Sequence, residues 1–488
     1  MAFVNQPKQH TYDLVLVGSS FASGFFLYEY LKTAPENASI LVLERGNRNP
    51  HQWQLENQKN SDIDWFNTYI HEGLSHKDWM FTIGFGGSSN CWTGCCPRQL
   101  ENDFRMKSKY GVGRDWPISY ADLEPFYAEV ENFMGMSGTD EWSMTPRSTK
   151  YPLPPHRLTD PEAALMDHYK GFYYPQSTAR PSRTFKNRPR CCASGICRLC
   201  PIDSVFTIQN SMMDIFEDPR VDVITGAHVD RLETNNNVVT GAVYKKDGKE
   251  ITVKGELFGL GANGIFNPYI MQKSGFEHEF LGRRIHEQVS TWAGFDLKGM
   301  KNYQGSTIIT GQGFMWYDGD HRKEYGACMT EFNNKIRKLR VEKDRWNERM
   351  YIQFVVEDLP LDENRVIYDP KLDKPIVSFT KFSDYGMRGL EKVFDYADEL
   401  AGVLPVERIF FDEKFEKKRI PRSTEAHIQG SVVMGDDPTT SVVDGNLVHH
   451  THRNLLVLGS SSFPTGAPAN PTLTLSALSV RAAYKLRT

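Results

Sequence analysis

Asp13-Leu-Val-Leu-Val17, followed at once by Gly18-Ser-Ser-Phe-Ala-Ser-Gly24, is the stretch on which the fold is decided. Its apolar run suits a strand buried in a parallel sheet, and the residues beyond it, through Leu31, read as a helix. A second apolar run, Ile40 to Leu43, ends in Glu44, about 26 residues after Gly18. Strand, turn, helix, strand and acid in that order describe a dinucleotide-binding unit. Pyrophosphate sits over the helix N-terminus and the carboxylate accepts the ribose hydroxyls. The glycine fingerprint is altered, because G-x-G-x-x-G reads here as Gly18-x-Ser20-x-x-Ser23. Ser20 places a Cβ where backbone normally meets phosphate, although its hydroxyl can donate to a phosphate oxygen; Ser23 falls at the helix–sheet packing position.

A chain of 488 residues exceeds what one core usually supports, so two domains are expected. A formal charge of −4 with 24% charged and 40% hydrophobic residues describes an ordinary globular protein without the basic excess that a nucleic-acid partner requires. No apolar run approaches the roughly 18 to 20 residues of a membrane span, and Met1 to His10 has neither a signal core nor a twin-arginine pair. The expectation is a cytoplasmic chain without direct membrane insertion, with periplasmic export on a signal-bearing partner as the other route. The eight cysteines are grouped: Cys91, Cys95 and Cys96; then Cys191, Cys192, Cys197 and Cys200; and Cys328 alone. Such grouping favours metal or redox chemistry over a disulfide framework.

Three later segments extend the dinucleotide reading. Gly84-Phe-Gly-Gly-Ser-Ser-Asn-Cys-Trp-Thr93 has glycines that let backbone amides approach phosphates or a planar ring. Near the C-terminus come His427-Ile-Gln-Gly-Ser-Val-Val-Met-Gly435, then Asn454-Leu-Leu-Val-Leu-Gly-Ser-Ser-Ser-Phe-Pro-Thr465 with Asn470-Pro-Thr-Leu-Thr474 and a final helix. In content and order these segments resemble the glucose-methanol-choline oxidoreductase superfamily. Leu257 to Asn263 resembles the strand and turn closing that family's FAD domain, and Glu357-Asp-Leu-Pro360 with Asn364-Arg-Val366 its first substrate-sheet strands. The likeness is sharpest to the flavin subunits of bacterial glucose, gluconate and fructose dehydrogenases, through Asp103-Phe-Arg-Met106, Tyr110-Gly-Val-Gly-Arg-Asp-Trp-Pro-Ile118 and Asp122-Leu-Glu-Pro-Phe-Tyr127.

The resemblance implies an α/β fold with a Rossmann-like FAD-binding domain and an α+β substrate domain built on an antiparallel sheet. Residues 1–115, 201–295 and 421–488 would form the first, 296–420 the second, and 116–200 an excursion carrying the second cysteine group. Within that excursion, Trp142 to Arg190 is rich in proline and arginine and shows no periodicity. Strand-like runs at Met350 to Val356, Arg365 to Tyr368 and Ile376 to Thr380 precede a helix-like stretch from Tyr385 to Leu400. His449, His450 and His452 read as a solvated loop. FAD contacts are implied for Gly18, Ser20, Ser23, Glu44, Gly86, Gly87, Ser89, Asn90, Cys91, Val229, Gly459, Ser460, Pro471 and Thr472.

Oxidising an alcohol removes a proton from oxygen and a hydride from carbon, so a base must face the hydroxyl while flavin N5 faces the C–H. His427 matches the family's catalytic histidine, and an ordinary pKa of about 6.5 leaves it mostly neutral at pH 7. Asn470 falls where the family places a second histidine or an asparagine, whose amide would donate to the substrate oxygen. By itself Asn470-Pro471 reads as a turn or cap, and the following helix would turn its positive end to the flavin N1–O2 edge. Cys91 stands where relatives with covalent FAD carry histidine; a thioether and a plain buried cysteine are both open readings.

Arg190-Cys-Cys-Ala-Ser-Gly-Ile-Cys-Arg-Leu-Cys-Pro201 ends in the ferredoxin-like C-x2-C-P. In the dehydrogenase branch the corresponding C-C-x4-C-x3-C-P holds a three-iron cluster; here the last spacing is one residue shorter. Cys191, Cys197 and Cys200 are the expected ligands of a 3Fe-4S cluster and Cys192 the spare, with a zinc site or redox-silent thiols as the other readings. The function implied is an FAD-dependent dehydrogenase of a sugar or polyol. Its electrons would leave through the cluster to a cytochrome or quinone, with a small subunit as partner. An oxygen-using oxidase of the pyranose type, or a flavin electron-transfer subunit without alcohol chemistry, are the alternatives.

Overall fold

Leu14, Val15, Leu16 and Val17 are all buried, and the strand they belong to, Thr11–Val17, lies inside a seven-stranded sheet. A computed structural model describes residues 3–487 except 142–143, 303–307, 334–341, 343–344 and 346. The first two residues of the N-terminal stretch, the head of the proline- and arginine-rich stretch, and parts of 296–420 therefore lie outside the described residues. The sheet runs Val221–Ile224, Ile40–Leu43, Thr11–Val17, Lys249–Leu260, Val238–Lys246, His228–Asn235, and Leu455–Val457 also pairs with Lys249–Leu260. The pairings around Thr11–Val17 are parallel, while the two strands beyond Lys249–Leu260 are antiparallel. Val17 is in register with Leu43 and Leu260, and Leu260 with Val457. Gly18, Glu44, Gly261 and Gly459 consequently emerge at one edge of the sheet, the edge at which parallel α/β sheets bind ligands. The helix Phe21–Leu31 packs against the C-terminal helix Thr472–Lys485, so the two ends of the chain build one layer.

The second sheet has six strands, in the order Val406–Phe411, Val289–Leu297, Arg349–Val356, Cys328–Asn333, Ile309–Trp316 and Tyr173–Pro175, with every pairing antiparallel. Tyr173–Pro175 comes from the 116–200 stretch and Val289–Leu297 from the end of 201–295. Helices Asp384–Glu391 and Val393–Val403 pack on this sheet, so the helical stretch expected over 385–400 is two helices meeting at Lys392.

Three expectations fail. Glu357 to Pro360 is not a strand: the ladder ends at Val356, and the Glu357 carboxylate turns into a buried ion pair. Arg365–Ile367 joins a separate three-stranded sheet with Ile376–Phe379 and Ile70–Gly73. His449, expected on a solvated loop, is buried against Phe276, and its Nδ1 accepts from the Thr451 and His452 amides.

The ion pair at Glu357 joins the two sheets' surroundings. Arg322, with no exposed side-chain surface, donates from Nη2 to Asp103 Oδ1 at 2.7 Å and Glu357 Oε2 at 2.6 Å, and from Nε to Glu357 Oε1 at 3.0 Å. Tyr317 and Tyr385 donate to the same carboxylates. Replacing Arg322 by Leu leaves two buried carboxylates without a counter-charge. The expected loss is about 3–5 kcal/mol, read as a lower denaturant midpoint, and a loss under about 1 kcal/mol would contradict this description.

Candidate functional site

Two cavities adjoin at the aligned strand ends, sharing Ser20, Ser88, Gly261 and Asn263 in their walls. The first is lined by Gly18, Ser20, Glu44, Gly87 and Val229, the second by Ser20, Cys91, His427, Gly459, Ser460, Asn470, Pro471 and Thr472. At the far end of the first, Glu44 Oε2 accepts from the Ser19 amide at 3.1 Å and hydroxyl at 2.7 Å, and Oε1 from the Gly46 amide at 3.0 Å. Burial pushes this carboxyl's pKa up and the three donors oppose it.

Ser20 begins the helix without a side-chain capping bond, and its Cβ takes up space a glycine would leave open. Gly87 supplies the relief: its φ is +50°, and a Cβ there would stand 2.7 Å from the Ser20 Cβ. The serine in the fingerprint is thus matched by a glycine 67 positions later (87 − 20). Ser23, Gly86, Ser89 and Asn90 do not line either cavity. Ser23 packs beneath Gly261, and the others shape the turn, with Ser89 Oγ donating to Gly86 O at 2.7 Å and Asn90 Nδ2 to Phe85 O at 3.0 Å. A buried acid at one end, close-approaching glycine backbone in the middle, and a histidine with an unpaired amide oxygen at the other fit the chemistry of FAD.

At that other end His427 Nε2 faces Asn470 Nδ2 at 3.5 Å. Asn470 lies two residues before the helix Thr472–Lys485, whose N-cap Pro471 and first residue line the cavity, so the positive end of the helix dipole is directed there. His427 is held from two sides. Its Nδ1 lies 3.0 Å from Gln288 Oε1, and Gln288 Nε2 donates to Ala467 O at 2.7 Å and Ala469 O at 3.2 Å. With both amide protons committed to carbonyls, the Gln288 oxygen can only accept. The His427 proton therefore sits on Nδ1 and the lone pair on Nε2, toward Asn470. The backbone is held by Glu287, whose Oε2 accepts from Thr424 Oγ1 at 3.1 Å, the Glu425 amide at 3.3 Å and the His427 amide at 3.2 Å. Its other oxygen pairs with Lys77, whose ammonium lies 3.5 Å from the Trp79 ring centroid; both members of this pair are buried.

The His427 ring is half-buried on the cavity wall, and desolvation by its surroundings lowers the pKa to about 4. The imidazole is neutral at pH 7. Because the folded value lies below the ordinary 6.5, the stability from this neutral ring is present above about 6.5 and is lost as pH falls through about 4.

Gln288, Glu287 and Lys77 were not legible as site residues. The one signal is a polar triplet, His286-Glu-Gln288, heading an otherwise buried strand. Cys91 donates its thiol to Ser88 O at 3.5 Å, and burial raises its pKa, which works against the thiolate that covalent attachment needs.

Cys191, Cys192, Cys197 and Cys200 line one narrow cavity together with the buried Arg180. The Arg180 guanidinium donates to Cys197 Sγ at 3.7 Å, to Thr178 Oγ1 at 2.9 Å and to Ile309 O at 2.9 Å. Cys95, on the wall of the second cavity, lies within the same electrostatic group as Arg180 and Cys197. Among the described residues no three His, Cys, Asp or Glu side chains are gathered as a single metal ion requires. Thiolate is the ligand chemistry an iron–sulfur cluster takes, and the Arg180 cation beside Cys197 favours thiolate there.

Activity that depends on neutral His427 should persist through neutral pH and fall as the pH drops through about 4. Gln288→Leu should lower kcat/KM by about tenfold to a thousandfold. Gln288→Glu, which offers the imidazolium a carboxylate, should move the acid limb upward. An unmoved limb in Gln288→Glu would contradict the tautomer assignment.

Residues 372–479 match the family model described as GMC oxidoreductase. The chain is 25% identical over 541 aligned residues to the fructose dehydrogenase large subunit of Gluconobacter japonicus, covering 96% of this chain and 97% of the relative. It is 22% identical over 487 residues to the gluconate 2-dehydrogenase flavoprotein of Pantoea cypripedii, covering 83% and 79%. Among solved structures, pyridoxine 4-oxidase from Mesorbium loti superposes with a TM-score of 0.70 at 15% identity, covering 97% of this chain and 99% of that one.

Proposed function

Because the chain belongs to the GMC oxidoreductase family, FAD-dependent enzymes that oxidise CH–OH groups, we propose that it is a dehydrogenase of a sugar or polyol. The observation that carries this reading is the His427 Nε2 lone pair and the Asn470 amide meeting at 3.5 Å on the cavity wall. A carbinol oxygen seated between them gives its proton to Nε2 and accepts a hydrogen bond from the Asn470 amide, which orients the C–H bond. Gln288 accepts from Nδ1–H throughout, so the imidazolium that forms keeps its place. Gly18, Ser20, Glu44, Gly87 and Val229 would hold the adenosine and pyrophosphate parts of FAD and Cys91, Gly459, Ser460, Pro471 and Thr472 the ring end. When bound, FAD accepts the hydride leaving the carbinol carbon.

Cys191, Cys197 and Cys200, with Cys192 as the spare, would hold a 3Fe-4S cluster, which when bound passes electrons on singly. The relative whose name reads "large subunit" supports a small subunit as partner, and a cytochrome or quinone as acceptor follows from one-electron exit. Among the described residues no helix is long and apolar enough to cross a membrane.

His427→Ala should lower the rate of anaerobic flavin bleaching by sugars or polyols by about 10²- to 10⁴-fold. Retained bleaching would overturn the base assignment, and rapid reoxidation by oxygen in preference to quinone would favour an oxidase. Purified protein should contain about three irons per flavin, with absorption beyond that of flavin in the region about 400 nm. Zinc, or no metal, would remove the cluster.

A further inference from the structure

Besides the His427 and Asn470 pair, the wall of the second cavity carries two charged side chains, Arg198 and Glu425. Arg198 and Ala426 line this cavity and are also exposed, so they mark where it opens to solvent. They come from two separate segments, the second cysteine group and the stretch that leads into His427. Ala426 is the residue before His427, which puts the opening beside the base.

The two charges differ in what already holds them. Glu425 is committed: Arg422 Nη1 lies 3.4 Å from its Oε1, and its oxygens accept from Ser290 Oγ and Gln353 Nε2. Arg198 is not. Its Nη1 rests on the Met80 thioether at 3.3 Å, a weak acceptor, and among the described residues no carboxylate pairs with it. Most of its fork of N–H donors is left open, in the geometry that meets a carboxylate or a phosphate through two parallel hydrogen bonds. The backbone beneath the fork is fixed. Asn60 Nδ2 donates to Arg198 O at 2.6 Å and to Asn90 O at 2.7 Å, tying position 198 to the glycine-rich turn, and His51 Nε2 lies 2.6 Å from Cys200 O. The surrounding charge has the same sign. In a chain of net charge −4, residues 183–203 present four exposed cations, Arg183, Lys186, Arg190 and Arg198, and their one acid, Asp203, is half-buried. This flank of the opening is a positive patch on a negative protein, and such a patch raises the local concentration of anions.

We infer that Arg198 is the specificity-determining residue of the site, selecting a polyhydroxy substrate that carries an anionic group, a carboxylate or a phosphate, away from the carbinol that is oxidised. The inference rests on the dehydrogenase reading and names the substrate class of that same site. The anion docks on the Arg198 fork at the opening while a carbinol reaches inward between His427 and Asn470. The Arg422 partner of Glu425 offsets the one charge on this wall that would repel such a substrate. A neutral sugar enters the same cavity and leaves the fork to water. Because the anion is remote from the reacting carbon, its contact is the same before and during hydride transfer, so it acts on KM rather than on kcat.

The test uses the holoenzyme under anaerobic conditions and reads kcat/KM for flavin bleaching on matched compounds. Each neutral sugar or polyol is set against the acid made by oxidising its terminal carbon, and against its terminal phosphate ester. One of the two anions should exceed the neutral parent by about tenfold or more, and which one does so identifies the group on the fork. Raising the ionic strength to about 0.5 M should shrink that advantage in the wild type, a measurement that needs no variant. Arg198→Met should bring the ratio of anion to neutral parent close to one, with the loss in KM for the anion, and Arg198→Lys should keep part of it. Such a ratio is not moved by general damage to folding or flavin content. Neither anion running ahead of its neutral parent overturns the inference. So does a ratio that survives in Arg198→Met. Bleaching by no alcohol of any charge overturns the dehydrogenase reading itself and the substrate class with it.

Discussion

The site depends on a single amide. Gln288 spends both N–H groups on the carbonyls of Ala467 and Ala469, so its oxygen has to accept, and the His427 Nδ1 proton is what it accepts from. That one orientation sets the histidine tautomer. It also ties the histidine segment to the chain leading into Asn470, so that the base and the donor are positioned by one side chain. The Lys77–Glu287 pair performs the same service for the backbone, since Glu287 gathers the amides of Glu425 and His427. Removing either member would leave the other buried and uncompensated, and the loop carrying His427 would lose its anchor.

Around this centre the fold brings distant segments to one line. Parallel register aligns the ends of Thr11–Val17, Ile40–Leu43, Lys249–Leu260 and Leu455–Val457, and the crevice beyond them runs from Glu44 to Asn470. The antiparallel sheet reaches the catalytic end through Gln288, which precedes its strand Val289–Leu297, and packs against helices Asp384–Glu391 and Val393–Val403.

Much of the first sheet was legible in the sequence, because apolar strands bounded by glycine and an acid have a local signature. Gly18, Glu44, His427 and Asn470 all reach the cavity walls. What was not legible is long-range. The tolerance of Ser20 rests on Gly87, and no local pattern links the two. Gln288 reaches His427 from the position just before the strand Val289–Leu297, and a single polar residue there carries no motif. Glu357 reads as part of a strand, yet its carboxylate is drawn aside by the buried Arg322. His449 sits among polar neighbours in sequence but under Phe276 in space. The four cysteines close in sequence border one cavity with Arg180, and that cation was not foreseeable.

The most direct test of the central claim is the protonation state of His427, read by nitrogen NMR of protein labelled in its histidines, with His427→Gln used to assign the resonance. A neutral ring protonated on Nδ1, with no titration between pH 5 and pH 8, is the result expected from burial and the Gln288 bond. A ring protonated on Nε2, or one that titrates near an ordinary value of about 6.5, would contradict it.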